Sequence, residues 1–131
     1  MNVILSLLQS YCTPILMYNL DAISLNKSTV TRLANTFNRT YFKIFKTFDL
    51  KVILQCMYYF GYLPFEYELD LRKINFLHKL KCSKNCILKL LLHKVGGNDY
   101  EKLCSKYNSS VYDSLFILKR KIFSSFESSV N

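Results

Sequence analysis

Tryptophan is absent from this 131-residue chain, and glycine and proline nearly so, at three Gly and two Pro. Turn-rich all-β folds need such residues at most of their connections, so this scarcity argues against one. Carboxylates are also sparse: Asp21, Asp49, Glu66, Glu68, Asp70, Asp99, Glu101, Asp113 and Glu127. Most fall where helix starts would use them, and none forms the adjacent Asp-Asp pair of a two-metal polymerase. A Gly-rich phosphate loop is missing, as is a Gly-x-Ser-x-Gly elbow. The residues therefore offer no catalytic set. His78, with no Asp or Glu following it closely, reads as a packed or interfacial side chain.

What remains is basic and apolar. Eighteen Lys and Arg outweigh nine Asp and Glu, for a formal net charge of +9, and half the residues are hydrophobic. The length fits one domain or a piece of a larger one, with enough apolar surface for a sizeable core. The charge favours anionic partners, either nucleic acid or an acidic membrane surface. Ten Phe and ten Tyr accompany many Lys, Asn, Ile and Leu, a mixture that AT-rich codons also produce.

Residues 3–20 are mostly apolar, but no Lys or Arg precedes them. Ser6, Gln9, Ser10, Thr13 and Asn19 interrupt them. A signal peptide needs a basic start and an uninterrupted apolar centre, and a spanning helix about 20 apolar residues. A membrane partner is therefore not expected, and neither is secretion. The five cysteines, Cys12, Cys56, Cys82, Cys86 and Cys104, lie inside apolar helical patterns, which fits reduced thiols better than a disulfide framework. Cys82, Cys86, His93 and Cys104 carry zinc-ligating atoms. Their spacing places the first pair one helical turn apart rather than across a tight loop, so no metal or cofactor is expected.

The strongest helical pattern is Lys27 to Phe48. Val30, Leu33, Ala34, Phe37, Tyr41, Ile44, Phe45 and Phe48 share one arc, and Arg32, Arg39, Lys43 and Lys46 lie opposite in a narrow stripe. Such a stripe is either a solvated face or a line of cations laid along a phosphate backbone. Asn26 or Ser28 can cap this helix. Before it, residues 2–18 read as a helix with Val3, Ile4, Leu7, Leu8, Tyr11, Ile15 and Tyr18 in helical spacing. Pro14 should kink it against the Ser10 carbonyl.

After it, Asp49 should cap a short helix that Gly61 stops in a left-handed turn. Pro64 should open a helix over 64–81. That helix has acids early, bases late and a narrow polar strip of Glu68, Arg72, Asn75 and Lys79, as expected of a central bundle element. Residues 84–94 read as a further helix ended by Gly96-Gly97. Asn98 to Glu101 resembles a capping box for a short helix to about Tyr107. Ser110 to Asp113 should open a last helix to about Phe123, with a frayed polar tail over Ser124 to Asn131. The expected fold is all-α, an irregular multi-helix bundle of about six or seven helices. It divides into a bundle over 1–81 and a more basic helical extension over 82–131.

Four segments, taken in order, resemble a known family. Tyr11-Cys12-Thr13-Pro14-Ile15-Leu16-Met17-Tyr18-Asn19 resembles the "Y-x-x-P-(V/I)-L-x-Y-G" helix that follows the palm in reverse transcriptases of non-LTR (LINE-type) retrotransposons. Leu33 to Lys46 resembles the next segment, in which an aromatic residue precedes an Asn or Arg and an "R-x-(I/L)-(F/Y)" group. Tyr59 to Phe65 resembles the "LG-x-L-x-F" turn, and Arg72 to Leu80 the basic, apolar helix after it. Asn19 stands where the family usually has Gly, and Phe37 where Trp is frequent. The resemblance covers about residues 8–81 and implies the thumb and adjoining C-terminal region of an RNA-directed DNA polymerase. There a helical bundle grips the template-primer duplex behind the palm.

On that resemblance Arg39, Lys43 and Lys46, with Arg32 beside them, would contact nucleic-acid backbone. The metal-binding aspartates would belong to an upstream palm, and the compartment would be nuclear or cytoplasmic. The residues leave two other readings open: a helical protein–protein interaction module, and a small basic membrane-associated protein held by residues 3–20.

Overall fold

The computed structural model describes residues 2–130, with Asn2, Val95 and Gly96 described in backbone only. The protein is all-α and multi-helical, and no strand occurs among the described residues. Its helical segments are α1 (Asn2–Leu7), α2 (Thr13–Leu16), α3 (Lys27–Phe45), α4 (Leu50–Tyr59), α5 (Phe65–Cys82), α6 (Cys86–Leu91), α7 (Gly97–Lys106) and α8 (Leu115–Val130). A π-helical turn over Leu8–Cys12 joins α1 to α2, and a second over Leu92–Gly96 joins α6 to α7. The chain forms two compact units, Met1–Leu69 and Asp70–Asn131, divided within α5. The expected boundary after Lys81 falls later in the same helix.

In the first unit, the turn over Leu8–Cys12 answers the problem set by Pro14. Proline has no N–H to donate and its ring crowds the preceding turn. The helix widens just ahead of it: the Thr13 N–H donates to the Leu8 carbonyl, one residue further back than in an α-helix. The Thr13 hydroxyl donates to the same carbonyl at 3.3 Å and to Gln9 Oε1 at 3.3 Å. The widening also resets which face is inside. Leu5, Thr13 and Met17 are buried, whereas Val3, Ile4, Leu7, Tyr11, Ile15 and Tyr18 are exposed. The face picked out by regular helical spacing is thus largely turned to solvent.

Helix α3 is capped by the Asn26 side chain, which accepts from the Thr29 N–H at 2.7 Å. Phe37 and Tyr41 are buried, Val30, Leu33, Ala34, Ile44 and Phe45 half-buried. Phe48, expected on that arc, lies beyond the helix end and is 92% exposed. The first unit is held by linked aromatic rings, with centroids 5.0 Å apart for Phe37–Tyr41, 5.9 Å for Phe37–Phe65 and 5.9 Å for Phe45–Phe60. Burial pushes the Tyr41 hydroxyl well above its ordinary pKa, and the neighbouring Tyr62 and Glu68 add to it.

Asp49 caps α4 by accepting from the Lys51 N–H at 2.9 Å. Gly61, at φ +72°, ends it in a Schellman turn. There the Tyr62 N–H donates to Met57 O at 2.8 Å and the Gly61 N–H to Tyr58 O at 3.0 Å. Lys46 ends α3 at φ 53° and ψ 39°, also left-handed. A side chain in that region costs about 1–2 kcal/mol, partly offset by the conformational entropy that glycine loses on folding. Lys46→Gly is therefore expected to raise stability by about 0.5–1 kcal/mol, read as a higher urea midpoint at unchanged slope.

Helix α5 is exposed only at Glu66, Lys79, Lys81 and Cys82; of its expected polar strip only Lys79 is exposed, and Glu68, Arg72 and Asn75 are half-buried. In the second unit Ile74, Leu77, Tyr100, Cys104, Tyr107, Leu118, Ile122 and Phe126 are buried. Two expectations fail here. Gly96-Gly97 does not end a helix. The turn over Leu92–Gly96 carries the chain through in helical geometry, the Gly97 N–H donates to the Leu92 carbonyl, and Asn98 to Glu101 lie within α7 rather than capping it. The loss of about 1 kcal/mol for a helical glycine is outweighed by burial of Tyr100 one turn on and Cys104 two turns on.

Nor does the tail fray. Helix α8 runs to Val130, because Phe126 continues the Leu118, Ile122 stripe at four-residue spacing and is fully buried. Ser128 donates back to Ser124 O at 3.0 Å. Asn131 lies outside the described residues.

Ion pairs tie the second unit internally. The Asp70 carboxylate accepts from Lys106 and, at 2.6 Å, from the Tyr107 hydroxyl. Lys73 lies 3.8 Å from Asp99. Lys121 donates to Asp113 at 3.0 Å and to Asn108 O at 2.9 Å. The hydrogen bond from Lys121, then that from the Ser110 N–H, holds the Asp113 carboxyl below the usual carboxylate range. A carboxylate depressed in the folded state stabilises above its unfolded pKa and stops doing so as pH falls through its folded one. Stability should therefore decline below the ordinary carboxylate range, and Asp113→Asn should make urea midpoints measured across pH 2–5 flatter.

Candidate functional site

The cations singled out on α3 are placed by its amphipathic pattern. With Phe37 and Tyr41 turned inward, Arg32, Arg39 and Lys43 fall on the outer side and are exposed. Lys46 is exposed at the left-handed cap. None of the four forms a salt bridge among the described residues; the pairs Lys73–Asp99, Lys106–Asp70 and Lys121–Asp113 lie in the second unit. Four acidic residues are the only anions of the first unit, and of these Asp21 and Glu68 are half-buried. The four cations are thus available to an external anion, and Arg32, Arg39 and Lys43 form a row at helical spacing.

Arg39 and Lys43 also form part of something the sequence did not reveal. A groove of about 650 Å³ runs between the N-terminal helical rod and α3, lined by Ile4, Leu7, Leu8, Tyr11, Cys12, Thr36, Arg39, Thr40, Lys43 and Ile44. A smaller recess of about 190 Å³ adjoins it, lined by Leu8, Cys12, Thr13, Leu16, Thr36, Phe37 and Thr40. The extra residue of the π-helical turn rotates Met17 onto the same buried face as Leu5, while Ile4, Leu7 and Tyr11 are left outward. A strict 3.6-residue reading cannot register that rotation. The readable signal was that apolar residues occur all round this rod, more than one core-facing stripe requires.

The second unit carries most of the excess charge, with twelve Lys and Arg against five Asp and Glu, for +7 of the total +9. Lys79, Lys84, Lys89, Lys94, Lys102, Lys119 and Arg120 are exposed there. Lys81 is directed to the loop after α7: its Nζ donates to Val111 O at 2.9 Å and lies 5.6 Å from the Tyr100 ring centroid and 5.3 Å from that of Tyr112.

The zinc-type donors are dispersed in environment. Cys104 is buried, Cys82, Cys86 and His93 are exposed, and no group of three or more His, Cys, Asp or Glu among the described residues is placed to hold a metal ion. Cys82 Sγ lies 3.7 Å from His78 Nε2, on the next turn of α5. Burial pushes the Tyr100 hydroxyl up to about 12, and the adjoining Cys104 thiol contributes in the same direction. Burial likewise raises the Cys104 thiol, making it a poorer nucleophile than an ordinary cysteine.

Fold and surface together define a basic, all-α protein with a solvent-facing cation row beside an apolar groove. No helix among the described residues is long and apolar enough to cross a membrane. No family model, curated protein or solved structure matches the chain.

Proposed function

We propose that this chain is a thumb-like helical module of a retrotransposon-type RNA-directed DNA polymerase, and that it grips template-primer nucleic acid by its backbone without catalysing a reaction itself. The observation that carries the reading is the row of Arg32, Arg39 and Lys43, extended by Lys46, exposed and without ion pairs among the described residues. Guanidinium and ammonium groups along a helix neutralise successive phosphates and release their counterions, so affinity arises without reading bases.

Two backbone details support the resemblance behind this reading. Asn19 occupies the position where the family usually has Gly, and it adopts φ 59°, a conformation that glycine takes freely and asparagine tolerates. Gly61, in the segment resembling the "LG-x-L-x-F" turn, is at φ 72°. The upstream palm remains the proposed protein partner.

Filter binding of the full chain to an RNA–DNA hybrid across a salt series tests the reading. Four phosphate contacts give a slope of about −3.6 in log K against log salt, so affinity should drop by about two orders of magnitude between about 50 and 200 mM. A flat salt response would overturn it.

A further inference from the structure

We propose that the groove between the N-terminal helical rod and α3 is a docking site for an acidic amphipathic helix of a partner protein. Such a helix would place its apolar face on Ile4, Leu7 and Tyr11 and its carboxylates on Arg39 and Lys43. The proposal goes beyond nucleic-acid binding and does not depend on it, although both use Arg39 and Lys43.

The chemistry of the groove selects the occupant. Its floor is apolar, and three of its side chains stand open to water: Ile4 at 56%, Leu7 at 51% and Tyr11 at 66% exposure. From Ile4 to Tyr11 the line runs about 10 Å, or two helical turns. The spacing of Ile4, Leu7 and Tyr11 matches the i, i+3, i+7 anchors with which helices meet in a groove. One wall is cationic, since Arg39 and Lys43 belong to the lining and pair with no acid among the described residues.

Charge then discriminates between occupants. A second copy docked groove to groove about a two-fold axis would bring two cationic walls into one interface whose lining holds no acid to pair them, an unfavourable arrangement. A lipid surface is best met by a broad apolar face with cations at its margins, whereas here the cations form one wall of a recess between two helices. A rod with an apolar stripe flanked by Glu or Asp satisfies both floor and wall.

The test is fluorescence anisotropy of the full chain with a labelled synthetic helix of about five turns, bearing leucine on one face and glutamate along its flanks. Saturable binding that weakens with salt is expected. R39E/K43E should weaken it by about tenfold. A second probe with lysine in place of glutamate should ignore the wild type and bind R39E/K43E. Leu7→Asp should abolish binding of either probe. All three positions are exposed, so circular dichroism should show unchanged helix content in the variants.

The proposal is overturned if the glutamate probe does not bind, or binds R39E/K43E as well as wild type. It is also overturned if phosphatidylglycerol vesicles sediment with the chain while the probe fails, or if light scattering shows a dimer that Leu7→Asp dissociates. Duplex binding in the same buffer reports separately on the nucleic-acid reading: its loss leaves the groove proposal standing, and its retention without probe binding removes the groove proposal alone.

Discussion

Replacing Phe126 with Ala is expected to lower the unfolding free energy by about 3–5 kcal/mol. The ring sits in a stretch whose Ser-rich composition reads as a loose tail, yet it is fully buried and completes the Leu118, Ile122, Phe126 stripe of α8. It also meets Phe123 edge-on, with centroids 6.3 Å apart. Truncation removes the transfer free energy of a buried aromatic ring and leaves a cavity. Since small domains are stable by only about 5–15 kcal/mol, such a loss takes a large share of the margin. Phe116→Ala on the same helix is the control: that ring is 74% exposed, so its removal should change stability by about 0.5 kcal/mol or less. Urea unfolding of the two variants compares them directly. A loss below about 1 kcal/mol for Phe126→Ala would mean that α8 does not dock through its last two turns.

How far the sequence could be read depended on whether a signal was local. Asn26 and Asp49 cap where their side chains can reach the next backbone N–H groups, and Gly61 stops α4 because a left-handed turn costs glycine little. Those features need only a few neighbouring residues, and they were legible. The all-α class followed from the paucity of turn residues and from strong periodicity. The two π-helical turns were not legible, because one extra residue per turn shifts the phase of everything beyond it. That shift sets Met17 on the same buried face as Leu5, a match that a 3.6-residue reading does not give. It also let the chain pass Gly96-Gly97 without a break. The docking of Phe126 is hidden for a different reason: a single buried ring anchors a polar segment through tertiary packing, which local composition does not encode.

The candidate cations on α3 were legible as a stripe, and their exposure agrees with the amphipathic pattern. Their setting was not, since the cation row doubles as a groove wall only through the shape of another helix. The distribution of charge between the units also bears on function. The first unit has six Lys and Arg against four Asp and Glu, whereas the second carries +7. A polyanion drawn by net charge alone would therefore favour the second unit. The α3 reading requires instead that an aligned, unpaired row outweigh a larger but scattered excess.

An exchange of charge deletions between the units measures that contest most directly. One variant removes Arg32, Arg39, Lys43 and Lys46 as alanines. The other removes Lys84, Lys89, Lys119 and Arg120, all exposed in the second unit. Both lose the same formal charge, so any general electrostatic attraction falls equally. In filter binding to an RNA–DNA hybrid at about 50 mM salt, the α3 variant should bind about a hundredfold more weakly than wild type, with its salt slope reduced by about 0.9 per cation removed. The second-unit variant should stay within about tenfold and keep most of the slope. Equal losses in the two variants, or a larger loss in the second-unit variant, would contradict the assignment of the nucleic-acid grip to α3.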